Sequence, residues 1–315
     1  MDKKVAFLFP GQGAQYVKMG YDFYQEFKIA REIFEQANDL LGYKLTDIIF
    51  EGPEEKLKMT KYCQVAIFTA SIAFFKVFES IYDCIPNICA GLSLGEYSAL
   101  CAAKKIAFAD CLKLVEARAI FMEEASTQFP GGLSVVLGLD PDQVEAMISP
   151  LDEKVWIANI NCPKQVVISG SHSALKKAEI ALKESGAKRV LPLDVSGPFH
   201  SGLMRQASDY LRPMIESTSF HHSSTEIVMN VTGNFVYEIN QIKQNLASQV
   251  YSTTLWDQSI RLMDQKETSL YIECGPGKTL AGMNKKIGIQ GVTFSIENCR
   301  ELLDFEKWFK ELRFH

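Results

Sequence analysis

Five residues, Gly91-Leu92-Ser93-Leu94-Gly95, place a serine between two glycines, each two positions away. That G-x-S-x-G spacing suits a nucleophilic serine on a sharp turn between a strand and a helix. The flanking positions must be small because strand and helix pack too closely there for side chains, and the backbone N–H of Leu94 can then help to hold an oxyanion. The same pattern also fits a glycine-flanked serine that caps a helix N-terminus. A nucleophilic serine needs a base. Of the five histidines, His315 is terminal, His172 falls in the first turn of a surface helix, and His221-His222 lie in the polar loop "SFHHSSTE". His200, in "DVSGPFHSGLM", follows a strand and sits beside Gly197 and Pro198. Such a rigid loop can aim an imidazole into a cleft; the alternative is a buried histidine satisfied by backbone groups.

Arg118 is the least ordinary charge in the chain. In "KLVEARAIFM" its neighbours three and four residues away are Leu114, Val115, Phe121 and Met122, so the guanidinium leaves a buried helix face. A buried guanidinium needs an anion. That anion is either a structural Asp or Glu, or the carboxylate of a substrate held by the planar fork. Two nucleotide-like stretches fail on spacing. "GQGAQY" has Tyr16 where a third glycine belongs, and "GPGKT" has Ile272 where a phosphate-binding loop needs its first glycine. The first of these loops, Gly11-Gln12-Gly13, reads as an ordinary glycine turn or as backbone N–H groups facing the strand that carries Ser93.

The elements that must position these residues alternate. "KVAFLF" is a continuous apolar run ended by Pro10-Gly11, a strand buried on both faces. Helical stretches are expected near 22–41, 54–58 and 62–81. "NICAGLS" then gives a strand running into the serine motif, and "EYSALCAAKK" a helix after it. "DCLKLVEARAIFMEEAS" is a helix, and "SLYIEC" with "GPGKTLAGMNKKI" gives a strand, a glycine turn and a helix. Strands alternating with helices imply an α/β fold with a mostly parallel sheet. The middle differs: "GGLSVVLGL", "DPDQVEAMIS", "VWIANI", "QVVISG", "SALKKAEIALKESG" and "AKRVLPL" spell βαββαβ, with Asp140 as a helix N-cap and Pro141 at the first helical position. That order is ferredoxin-like and predicts a small subdomain at 126–195 inserted into a discontinuous core of 1–125 and 196–315. A ligand cleft is expected between the two.

Length and composition are those of a globular chain: 315 residues, 47% hydrophobic, 23% charged, net charge −5. The acidic balance argues against a nucleic-acid surface. Eight cysteines without a C-x-x-C pair spell out neither a zinc site nor a dithiol motif, and reduced thiols in a cytoplasm are expected. The apolar run after Lys4 is too short for a signal segment, "VAIFTASIAFFKVF" is interrupted by Lys76, and no membrane segment is expected.

In order and spacing, "FPGQGAQ", "AGLSLGEYSAL", "EARAIFM", "NINCPKQVVISG", "SGPFHSGLM", Gln249 in "LASQVYSTTLW" and "ECGPGKTLAGM" resemble the malonyl-CoA:acyl carrier protein transacylases of fatty-acid synthesis. The resemblance spans nearly the whole chain. It implies an α/β-hydrolase-like core with a ferredoxin-like subdomain, Ser93 as the acylated nucleophile and His200 as its base. The backbone N–H groups of Gln12 and Leu94 are implied to form the oxyanion hole, Arg118 to bind the malonyl carboxylate, and the main-chain carbonyl of Gln249 to orient His200, the task an aspartate performs in triad hydrolases. Malonyl-CoA is the implied substrate and the phosphopantetheine thiol of acyl carrier protein the acceptor, with no bound cofactor or metal, and a cytoplasmic monomer is expected. Two departures and one agreement stand out. Leu92 occupies a position often held by histidine, Thr254-Leu255 replaces a frequent Pro-Val before Trp256, and Phe199 agrees with malonyl- rather than methylmalonyl-using relatives. The rival activity is a serine thioesterase or esterase, which would not need Arg118. The rival without chemistry is a carrier-binding scaffold. Lys285-Lys286 and Lys188-Arg189 are candidate contacts for the acidic carrier, or plain solvated charge.

Overall fold

The structure is a computed structural model that describes residues 4–82 and 84–313; His315 lies outside the described residues. Its strands, in chain order, are β1 (Lys4–Phe9), β2 (Ile88–Gly91), β3 (Gly131–Leu137), β4 (Val155–Cys162), β5 (Gln165–Ser171), β6 (Arg189–Pro192), β7 (Glu226–Met229), β8 (Asn234–Phe235), β9 (Thr254–Leu255), β10 (Thr268–Cys274) and β11 (Val292–Ile296). One sheet has the order β11-β10-β1-β2-β7-β8. It is parallel apart from the antiparallel edge pair β7–β8. The last four residues of β1 and all of β2 are buried, as strands covered by helices on both faces must be. Phe9 stands opposite Gly91, so the loops leaving β1 and β2 start side by side. With β7 beyond β2 and β10 beyond β1, four neighbouring strands deliver their carboxyl ends to one edge, where open α/β sheets place their ligands.

The second sheet has the order β6-β3-β5-β4-β9. Its β6-β3-β5-β4 part is antiparallel throughout. Numbered within the unit this is 4-1-3-2, the ferredoxin-like arrangement that the βαββαβ order predicts. Helices Pro141–Ile148 and His172–Glu184 lie between its strands, and Gln143 reaches back to the Asp140 N–H at 2.9 Å. The helix bearing Arg118 runs Phe108–Gln128, so residue 126, where the insertion is expected to begin, lies within its last turn. Thr254-Leu255, the departure noted before Trp256, forms β9 and extends the small sheet by pairing parallel with β4.

The helix expected over 22–41 is two helices, Tyr21–Glu26 and Lys28–Leu41, because Phe27 is extended (φ −115°, ψ 118°). The break lets the rings of Phe23 and Phe27 pack together 5.6 Å apart while Phe23 also lies 4.6 Å from Phe74. Helix Thr60–Tyr82 is long and apolar enough to cross a membrane by composition alone. Here it is the central core helix: Phe7 meets Phe75 and Phe78 edge-on, and the residues from Cys63 to Phe75 are all buried. None of the eight cysteines forms a disulfide.

Candidate active site

Ser93 follows β2 by two residues and precedes helix Gly95–Ala102. The flanking glycines are enforced by contact. A Cβ on Gly91 would lie 1.9 Å from the backbone of Gly95, and one on Gly95 would lie 2.0 Å from the Phe9 carbonyl oxygen. Ser93 itself has φ +53°, a left-handed conformation that a serine adopts only where its surroundings fix it. The fixing group is Asn230, just past β7. Its Oδ1 accepts from the Ser93 N–H at 2.7 Å, and its Nδ2 donates to the Gly91 carbonyl at 2.7 Å. The helix that follows has no side-chain cap, so Ser93 is an elbow residue whose hydroxyl is not spent on capping.

The hydroxyl is met from two sides. His200 Nε2 is 2.8 Å from Ser93 Oγ, and an Arg118 Nη2 hydrogen is donated to the same oxygen at 3.0 Å. His200 also has a left-handed backbone, φ +56°, and its N–H donates to the Val250 carbonyl at 2.9 Å. Its Nδ1 faces the Gln249 carbonyl at 2.9 Å and the Ser252 carbonyl at 3.2 Å. Two carbonyl acceptors require Nδ1 to carry the proton, which leaves Nε2 as the lone-pair nitrogen toward Ser93. No carboxylate touches the ring among the described residues, so a backbone pair does the orienting that an acid does in a triad.

Burial, and then the Arg118 charge, push the His200 imidazole down to about 4, against the stabilising pull of the two carbonyls. With the folded value below the ordinary 6.5, the ring is neutral at any pH above about 4 and can accept a proton throughout the neutral range. Titration of histidine-labelled protein by 15N NMR, with His200→Ala to assign the signal, should therefore find one imidazole still neutral at pH 5.5. A midpoint near 6.5 for that ring would contradict the burial account.

Arg118 is 1% exposed. Its Nη1 donates to Gln64 Oε1 at 2.6 Å and its Nη2 to Gln249 Oε1 at 3.0 Å, while the guanidinium lies 5.7 Å from the centre of the Tyr97 ring. Nε has no acceptor. Among the described residues no carboxylate forms an ion pair with it. No carboxylate meets Arg118 directly: every contact of this buried cation is neutral, one of them is the serine, and the Glu96 carboxyl whose charge acts on it is held off by the Gln249 amide.

The loop after β1 abuts the elbow, since a Cβ on Gly11 would lie 2.6 Å from the Leu92 carbonyl oxygen. The Gln12 and Leu94 backbone N–H groups, one in the loop after β1 and one directly after Ser93, donate to no protein acceptor among the described residues. Both loops open on a cleft of about 570 Å³ lined by Gln12, Ser93, Arg118 and His200 from the larger part and by Leu133 and Asn159 from the small sheet. Phe199 also lines it and is buried. The cleft is of a size to hold a small-molecule ligand. Together these groups can exchange a proton at Ser93, receive negative charge beside it on two N–H groups, and hold an anion on the guanidinium. No group of three or more His, Cys, Asp or Glu among the described residues converges as a metal site requires.

Residues 6–276 match the family model of the acyl transferase domain. The chain belongs to the acyl transferase family. The malonyl CoA-acyl carrier protein transacylase of Bacillus subtilis is 38% identical to this acyl transferase over 298 residues, 94% of each chain. The crystal structure of the transacylase of that name from Clostridium perfringens superimposes with a TM-score of 0.94 at 36% identity, covering 98% of both chains. A malonyl-transacylase solved in complex with its type II PKS acyl-carrier protein gives 0.92 at 34% identity, covering 95% of this chain and 98% of that one.

All six site residues expected from the sequence meet at this one place. Four polar residues that the acyl transferase uses to hold them were not anticipated: Gln64, Glu96, Asn230 and Ser252. Glu96 was findable by the reasoning that singled out Arg118, being the lone charge in the otherwise small and apolar helix "GEYSALCA". Asn230 ends the apolar run "EIVM" at the carboxyl edge of the sheet, where polar residues tend to serve ligands. Of the candidate carrier contacts, Lys188 and Arg189 are exposed, and Lys286 donates to Gln165 at 2.9 Å.

Proposed function

We propose that this chain transfers the malonyl group of malonyl-CoA to the phosphopantetheine thiol of acyl carrier protein through a malonyl ester on Ser93, supplying fatty-acid chain elongation. The observation that carries this reading is the buried Arg118 guanidinium, bonded to the Ser93 hydroxyl and with no carboxylate in direct contact among the described residues. In the first half-reaction His200 Nε2 takes the hydroxyl proton as Ser93 Oγ bonds to the thioester carbonyl carbon. The negative charge that appears on the carbonyl oxygen is held by the Gln12 and Leu94 N–H groups. The C–S bond then breaks and His200 returns the proton to the coenzyme A sulfur. In the second half-reaction His200 takes the proton of the carrier thiol, sulfur attacks the ester, and Ser93 Oγ leaves with the proton. The carbonyl of Gln249 holds Nδ1–H throughout.

Arg118 couples recognition to this proton transfer. Its charge is the second cause holding His200 down, and a malonyl carboxylate paired with the guanidinium cancels that charge as seen by the ring. Seating the right acyl group therefore makes the base stronger. The division of labour follows the chain: the core of 1–125 and 196–315 carries the reacting groups, and the inserted unit of 126–195 walls the cleft. Every reacting group lies within a single chain, so the chemistry proposed here needs no second copy, and the reduced thiols suit a cytoplasmic setting.

Brief exposure to malonyl-CoA followed by intact-mass measurement should show a single malonyl adduct in the parent and none in Ser93→Ala. With purified carrier protein present, the adduct should move to the carrier thiol faster than free malonate appears. An adduct that persists in Ser93→Ala removes the assigned nucleophile. Malonate release that outruns carrier loading makes the enzyme a thioesterase.

A further inference from the structure

Gln249 stands at the centre of the site through its side chain as well as its carbonyl. Its Oε1 accepts from Arg118 at 3.0 Å, and its Nε2 donates to the Ser93 carbonyl at 2.9 Å and to Glu96 Oε2 at 2.7 Å. A primary amide can be turned end for end with almost no change of shape, so something must decide which end faces the guanidinium. Arg118 is a pure donor and Glu96, as a carboxylate, a pure acceptor, and they grip opposite ends of the amide. The other oxygen of Glu96 accepts from the Asn230 N–H at 2.6 Å, and Asn230 is the residue that fixes the backbone of Ser93. Glu96 is wholly buried. Burial pushes its carboxyl up to about 7, against the pull of the Asn230 and Gln249 donors and the Arg118 charge. Both of its oxygens face N–H donors, so the lock is made by the ionised form.

We infer that Glu96 is a positioning residue for the transfer, locking the Gln249 amide so that Arg118 is presented to the substrate carboxylate and, through Asn230, holding the Ser93 elbow. The inference rests on the function proposed above. Glu96 touches neither His200 nor Ser93 Oγ and sees no substrate; it acts through two amides. It also leaves the guanidinium free. A carboxylate in direct contact with Arg118 would occupy the fork that the malonyl group must use, whereas this one is separated from it by the length of the Gln249 amide.

Glu96→Gln supplies the test, because it keeps the shape and turns one acceptor end into a donor. The new NH2 must face either the Asn230 N–H or Gln249 Nε2, both donors. Swinging the Gln249 amide relieves the second conflict only by turning NH2 toward Arg118 and depriving the Ser93 carbonyl of its donor. A buried donor left without an acceptor is enough to cost about tenfold or more in the interaction it supports. The readout is the ratio of kcat/KM for malonyl-CoA over acetyl-CoA, and it is expected to fall by about that factor as Arg118 loses its aim. Loss of the negative charge alone would work in the opposite sense, strengthening the attraction of Arg118 for malonyl. An increased ratio therefore overturns the inference, as does an equal fall for both substrates, which marks a merely structural residue. Glu96→Asp keeps the charge and two acceptors but retracts them by one methylene, and it carries the same expectation should the glutamine variant not fold. A parent enzyme without preference for malonyl over acetyl overturns the function proposed above together with this inference, and that comparison is made before any variant is read.

Discussion

His200→Ala is expected to slow malonylation of Ser93 by about two to four orders of magnitude, the usual worth of a positioned general base. Stopped-flow acylation with malonyl-CoA is the measurement. Three observations set the size. Nε2 lies 2.8 Å from Ser93 Oγ, so proton transfer needs no rearrangement. Two carbonyls fix the tautomer that leaves Nε2 free. Burial and Arg118 keep the ring neutral to about pH 4, so nearly every molecule at neutral pH holds its base in the working form.

The residual rate has an identifiable source. With the imidazole gone, Ser93 keeps the Asn230 bond that sets its backbone, the Arg118 bond to its hydroxyl, and the N–H groups of Gln12 and Leu94. Those groups still favour the charged adduct, so the variant should remain measurably faster than Ser93→Ala. Folding should survive. His200 forms its main-chain bond to Val250 whatever its side chain, and the space vacated opens onto the cleft. A rate within a few-fold of the parent would show that a different group takes the proton.

How far this site was legible in the sequence depended on whether a residue's surroundings were local. The glycines around Ser93 announce a close approach within five residues, and the approach is real. The apolar neighbours of Arg118 lie one turn away on its own helix, and it is buried as they predict. The βαββαβ order is spelled by consecutive segments, and the small sheet obeys it. What escaped notice depends on other parts of the chain. Glu96 is buried because helix Gly95–Ala102 is enclosed by β1, β2 and helices Thr60–Tyr82 and Phe108–Gln128. Gln64 reads as one polar position on a long helix until Arg118 meets it from another. Strands β8 and β9 have two residues each, too short for any periodicity. Phe27 breaks a helix without a glycine or proline to mark it; its ring packs on Phe23, which in turn lies against Phe74 on a distant helix.

Arg118→Ala is expected to lower kcat/KM for malonyl-CoA by about two to four orders of magnitude while acetyl-CoA holds steady or improves. Truncating one partner of a buried charge pair costs about 3–5 kcal/mol, and each 1.36 kcal/mol is about tenfold in rate. The malonyl carboxylate would then enter a water-poor pocket with no cation to meet it. An acetyl group carries no such charge and gains in two ways. The guanidinium that it would otherwise leave buried and unpaired is gone, and the His200 ring is freed from the charge that weakens it as a base. Opposite movement of the two substrates is thus the signature of a clamp. Loss of packing is a built-in control: without Arg118, Gln64 Oε1 and Gln249 Oε1 both lose their donor, and any resulting slackness falls on both acyl groups alike. Arg118→Lys should recover little, because a single ammonium cannot serve Gln64, Gln249 and a carboxylate as the fork does. If malonyl and acetyl transfer fall together in Arg118→Ala, the arginine is a strut between the helices it joins, and the anion it awaits is not the substrate's.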